Sequence, residues 1–82
     1  MICMGNNIIG KRVRIARLRR KPKLTQRGLA ARLQLGGWDI GRSGVAKIEL
    51  GLRQVTDVEA LKLAKALRVS VAWLFEEADD QV

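Results

Sequence analysis

The sequence predicts an all-α fold, one domain built from five short helices. Three observations carry this. Apolar residues recur at helical spacing along most of the chain. Helix-start and helix-stop residues punctuate those stretches, and no sustained period-two alternation bounded by hairpin turns occurs. The chain has 82 residues, 48% of them hydrophobic, enough for one small core without metal or disulfide support.

The first helix is expected from about Ile8 to Arg20. Ile9, Val13 and Ala16 form its apolar stripe, flanked by Ile15 and Leu18. Pro22 ends it, because proline disfavours helix at the residue before it and has no N–H to offer. The second helix opens at Thr25, whose hydroxyl can accept an N–H from the first turn. Leu29, Ala30 and Leu33 are its inward residues, and the glycine pair Gly36-Gly37 stops it. Trp38 and Ile40 in the following loop are too apolar to leave in water and are expected to fold back on the core.

The third helix is expected over about Arg42–Leu50. Val45 and Ile48 face inward, Arg42, Ser43 and Lys47 face outward, and Gly51 is a natural residue beyond the C-terminus. The fourth begins at Thr56, where Thr56-Asp57-Val58-Glu59 fits a reciprocal capping box. Its expected apolar face is Val58, Leu61, Ala64 and Leu67, with Leu63 beside it. The fifth is short, capped by Ser70, and contains Trp73 and Phe75, which either complete the core or present a dimer surface. Leu29, Ala30, Val45, Ile48, Leu61 and Leu67 are the expected core on periodicity alone. Residues 1–8 are expected to be a flexible N-terminus, 9–76 the folded domain, and 77–82 a fraying acidic tail.

Charge is sorted along the chain. Sixteen Lys and Arg against eight Asp and Glu give +8. Ten basic residues and no acidic one lie between Gly10 and Arg32, whereas the chain from Val69 onward holds four acidic residues and no basic one. A basic face built by the first half, meeting a polyanion, is the expected consequence.

Composition also excludes classes of function. There is no His and one Cys, Cys3, so imidazole acid–base chemistry, a disulfide framework and most zinc sites are out. No phosphate loop or nucleophile–base pair occurs, so no enzyme, no cofactor and no small-molecule substrate is expected. Three aromatic residues with no Tyr weigh against a base-stacking platform for single strands. No apolar run approaches the ~20 residues of a membrane span and no targeting segment shows, so a cytoplasmic protein with no membrane partner is expected.

Three segments carry a family resemblance. Leu24-Thr25-Gln26-Arg27-Gly28-Leu29-Ala30 looks like the helix-2 signature of the lambda-repressor/Cro-like (XRE-type) helix-turn-helix family. Val45-Ala46-Lys47-Ile48-Glu49-Leu50-Gly51 resembles that family's recognition helix. Leu61 to Ser70, followed by Trp73-Leu74-Phe75, resembles its fourth and fifth helices. The resemblance spans about Ile9 to Phe75 and implies a five-helix lambda-repressor-like DNA-binding domain. It further implies a sequence-specific regulator of transcription, repressor-like, docking on double-stranded DNA as a homodimer.

Base reading then falls to Arg42, Ser43 and Lys47 on one outward face: Arg42 and Lys47 can donate to guanine O6 and N7 in the major groove, and Ser43 can serve any base. Phosphate contact falls to Thr25, Gln26 and Arg27 at the start of helix 2 and to Arg53 past Gly51. The resemblance also pairs a helix-1 arginine with Glu49 as a structural tie. Aligning Val13 and Ala16 on the family's helix-1 core selects Arg17; a shifted alignment selects Arg19.

Two departures mark this chain. The link from Leu33 to Ile40 is about five residues longer than the family's, extending helix 2 or its turn. Gly44 stands inside the recognition helix where Ser or Thr is usual, costing about 1 kcal/mol of helix propensity. It either permits close approach to DNA or has no role. Together they motivate the alternative of a protein-interaction module of the same fold with only non-specific DNA affinity.

Overall fold

A computed structural model describes residues 7–76; Cys3, the rest of 1–6 and the acidic tail 77–82 lie outside the described residues. Five helices follow in order: α1 Gly10–Arg19, α2 Gln26–Leu35, α3 Arg42–Glu49, α4 Asp57–Leu67 and α5 Val71–Phe75. No strand occurs among the described residues. The ends of α1 fall inside the expected span, and Leu50 is the C-cap of α3 rather than part of the helix.

Local chemistry accounts for most helix ends. The Thr25 side chain accepts the Gly28 N–H, and the Ser70 side chain accepts the Trp73 N–H. The Thr56–Glu59 capping box is formed in both directions. Three C-termini close with the same paired hydrogen bonds. At α2, Trp38 N–H reaches the Leu33 carbonyl and Gly37 N–H the Gln34 carbonyl, each at 3.0 Å. At α3, Leu52 and Gly51 do the same to Lys47 and Ile48, and at α4, Val69 and Arg68 do so to Ala64 and Lys65. This closure needs a left-handed residue. Gly37 (φ 95°) and Gly51 (φ 77°) supply it at no steric cost, whereas at α4 the position is held by Arg68 (φ 60°).

The start of α1 is capped from outside the helix. Asn7, within the segment expected to be flexible, accepts the N–H groups of Ile9 and Gly10 on its side-chain oxygen. Its amide nitrogen donates to the carbonyls of Ile48 (3.1 Å) and Arg53 (2.8 Å). The crossing there is at backbone contact, since a Cβ on Gly10 would collide with the Ile48 carbonyl oxygen.

The core is continuous through all five helices. Ile9, Val13 and Ala16 meet Leu29, Ala30 and Leu33 from α2, Val45 and Ile48 from α3, and Leu74 from α5. Trp38 and Ile40 fold back into it. The register of α4 differs from the expected one. Ala60, Leu63, Ala64 and Leu67 point inward, while Val58 is 58% and Leu61 45% exposed. Apolar residues occur on more than one face of α4, so periodicity alone could not choose; its packing against α1, α2 and α5 did. No helix among the described residues is long and apolar enough to cross a membrane.

Candidate nucleic-acid interface

The interface is organised by one buried charged node. Arg17 leaves the inner side of α1 and meets Glu49 at the end of α3 through two parallel bonds, Nε to Oε2 at 2.7 Å and Nη2 to Oε1 at 2.9 Å. The side chains are 9% and 3% exposed. Glu49 Oε1 also accepts from Gln26 Nε2 at 3.1 Å, and Arg17 Nη1 donates to the Leu24 carbonyl at 3.1 Å. Three helices and the α1–α2 linker therefore share one hydrogen-bonded centre. A bidentate Arg–carboxylate pair fixes distance and orientation together, which sets how α3 lies against α1. Arg19, the other helix-1 arginine that the alignment allowed, instead lies over the Trp73 ring at 5.8 Å.

Around this node the sequence-selected residues fall into groups. Thr25, Gln26, Arg27 and Arg42 line one shallow basin with Arg17 at its floor, so the start of α2 and the start of α3 are neighbours. Thr25 and Arg27 are exposed, and Gln26 is half-buried with its amide committed to Glu49. The exposed face of α3 carries Arg42, Ser43 and Lys47, while Val45 and Ile48 on the other face are fully buried. The result is an anchored helix presenting two long cations and a hydroxyl to solvent. Trp73 lies apart, its ring faced by Arg12 at 4.5 Å, and Phe75 is 45% exposed beside Ile8 and Val55.

The two departures prove to be one feature. α2 runs on to Leu35, and the turn over 36–41 is held by Gln34 Nε2 donating to the Ile40 carbonyl at 2.7 Å. Ile40 is thereby delivered onto α3 at Gly44. A Cβ on Gly44 would stand 2.5 Å from Ile40 Cγ1 and 2.9 Å from Cδ1. The glycine makes room for the longer turn, a role the sequence reading did not contain.

Arg53 is positioned by contacts the sequence reading also missed. It bonds Glu59 through two nitrogens, at 3.2 and 3.3 Å, donates to the Gln54 carbonyl at 3.0 Å, and lies 5.2 Å from the Trp38 ring centre. It thus clamps the lengthened turn to the start of α4. Burial pushes the Glu59 carboxyl up, but bonds from Arg53 and Thr56 outweigh that and hold it below its ordinary range. The available signal was the six-residue spacing from Arg53 to a capping-box glutamate. Among the described residues, no cluster of three or more acidic or Cys side chains could hold a metal.

Five helices with an anchored, cation-bearing α3 beside the N-terminus of α2 define a helix-turn-helix DNA-binding domain. A helix-turn-helix family model matches residues 15–74. The chain belongs to the XRE-type helix-turn-helix family of DNA-binding transcription regulators. Among solved structures it is similar to the restriction-modification controller protein C.AhdI from Aeromonas hydrophila, with 36% identity and a TM-score of 0.68. That similarity covers 82% of this chain and 87% of the other. No curated protein sequence matches the chain.

Proposed function

We propose that this protein is a sequence-specific regulator that inserts α3 into the major groove of double-stranded DNA and acts on transcription in a repressor-like manner. The observation that carries the reading is the outward face Arg42, Ser43 and Lys47 on a helix whose inner face is fully buried and whose end is fixed by Arg17 and Glu49. Arg42 and Lys47 read guanine edges, and Ser43 accepts or donates to a neighbouring base. Thr25, Gln26 and Arg27 hold a phosphate at the α2 N-terminus, where backbone N–H groups and the helix dipole favour an anion. Arg53 approaches a second phosphate with the N–H groups that Glu59 and Gln54 leave over.

The protein works as a homodimer on DNA, in the cytoplasm, without catalysis. Phe75, exposed beside Ile8, supports a self-association surface; Trp73 contributes at its edge because its ring is faced by Arg12. The similarity to a restriction-modification controller favours a regulator of such genes as the finer role.

Selection from a random duplex pool at physiological salt tests this. The expected result is a palindrome bound ~1,000-fold or more above bulk DNA, with half-sites about one helical turn apart. Arg42→Ala should lose about 1–3 kcal/mol of discrimination at one position, whereas Arg27→Ala should weaken all duplexes alike. Weak, salt-sensitive binding with no enriched sequence would leave the protein-interaction module of the same fold as the better reading.

A further inference from the structure

A cleft between the C-terminal end of α1 and the α4–α5 turn takes no part in the interface above. It is an open cavity of about 450 Å³ lined by Arg19, Arg20, Arg68, Ser70, Trp73 and Leu67, among others. That volume lies within the roughly 300–1,000 Å³ of small-ligand sites. Among the described residues, no carboxylate lines it.

Three arginines from two separate elements thus line one concave surface, with no acidic side chain beside them among the described residues. Arg20 Nη1 is buried and has no hydrogen-bond partner among the described residues. A buried charged donor in that state calls for an acceptor. Ser70 accepts the Trp73 N–H at 3.0 Å, which leaves its own hydroxyl hydrogen to donate. Arg68 adds a further sign. It occupies a left-handed position (φ 60°) where glycine would close the helix without strain, yet a long cation stands there and lines the cleft.

We propose that this cleft is an oxyanion site that takes a phosphate group. A tetrahedral, doubly charged oxyanion offers acceptors in several directions and so suits guanidinium groups arriving from two elements, where a planar carboxylate suits one fork. Leu67 and the Trp73 edge give the cleft an apolar wall for the body that carries the phosphate. The group comes either from a free phosphorylated compound or from the DNA backbone beyond the half-site.

The test uses the full chain without DNA. Pyrophosphate is titrated at constant ionic strength into the Arg53→Gln variant, which removes the phosphate contact proposed beside Trp38, while the two indole N–H resonances are followed, Trp38 serving as internal control. A saturating shift of Trp73 with Trp38 still is expected, and Arg20→Gln/Arg68→Gln should weaken it at least tenfold. Arg20→Gln alone serves if the double variant does not fold, and Arg14→Gln, exposed and outside the cleft, should change nothing. A shift that never saturates, that moves both indoles equally, or that survives the double variant overturns the site. DNA titrations with the double variant separate the sources. Loss confined to duplexes extended beyond the half-sites assigns the phosphate to the DNA backbone, and unchanged DNA affinity assigns it to a free compound. Failure of the regulator reading would show separately, in the duplex selection.

Discussion

Two arginine–glutamate pairs use the same chemistry to different ends. Arg17–Glu49 joins residues 32 apart in sequence, with the closest bond at 2.7 Å and side chains 9% and 3% exposed. Arg53–Glu59 joins residues six apart, at 3.2 Å, with side chains 32% and 23% exposed. The first is closed off by Gln26 and the Leu24 carbonyl, and holds α3 in place. The second remains partly accessible, and its members have second duties: Glu59 caps α4, and Arg53 is the residue we propose for a DNA phosphate. Burial decides which pair is a fixed structural node and which is exchangeable, because water competes for the second and barely reaches the first.

The largest expected effect separates the two. Glu49→Ala leaves the Arg17 guanidinium buried without its partner and should cost about 3–5 kcal/mol in chemical denaturation. A loss under about 1 kcal/mol would place both pairs in the same exchangeable class.

Next comes the turn that Arg53 clamps. Helix propensity alone makes Gly44→Ala stabilising by about 1 kcal/mol. The Ile40 contact makes it destabilising, by about 1–2 kcal/mol net once overpacking is set against propensity. The cost should shrink in an Ile40→Ala background, as residues in contact are non-additive. A stabilised Gly44→Ala would show that the lengthened turn does not rest on this glycine.

Glu59→Gln should cost less, about 0.5–1 kcal/mol at neutral pH. Because the folded carboxyl titrates below its ordinary value, its contribution is full above the unfolded range near ~4.3 and is lost as pH falls through the lower folded value. The gap in melting temperature between wild type and Glu59→Gln should therefore hold from pH 7 to about 5 and close below about 4. A gap that persists at lower pH would mean that Glu59 acts through packing rather than charge.

The smallest effect concerns DNA. Arg53→Ala should weaken every duplex equally and lower the salt slope by about 1. Preferential loss on one sequence would move Arg53 from the backbone to a base.

Much of this was legible before any coordinates. Thr25, Thr56 and Ser70 announce helix starts, and Gly37 and Gly51 announce stops, because caps are chemistry between residues three or four apart. The inward faces of α1, α2 and α3 follow from 3.6-residue periodicity, and with them the outward placement of Arg42, Ser43 and Lys47. The node at Glu49 was indicated by family resemblance, and its geometry then appears in the fold.

What only the tertiary structure decided are contacts between residues that no local rule pairs. Asn7 caps α1 while gripping the carbonyls of Ile48 and Arg53, more than forty positions away. The space beside Gly44 is filled by the side chain of Ile40, and the register of α4 is set by the three helices around it. The basic residues of the α1 end and of Arg68 meet in one cleft only after α4 turns back on α1. Spacing along the chain determines which way a side chain leaves its helix. What it meets there depends on how whole helices fill space together, and that is settled by packing.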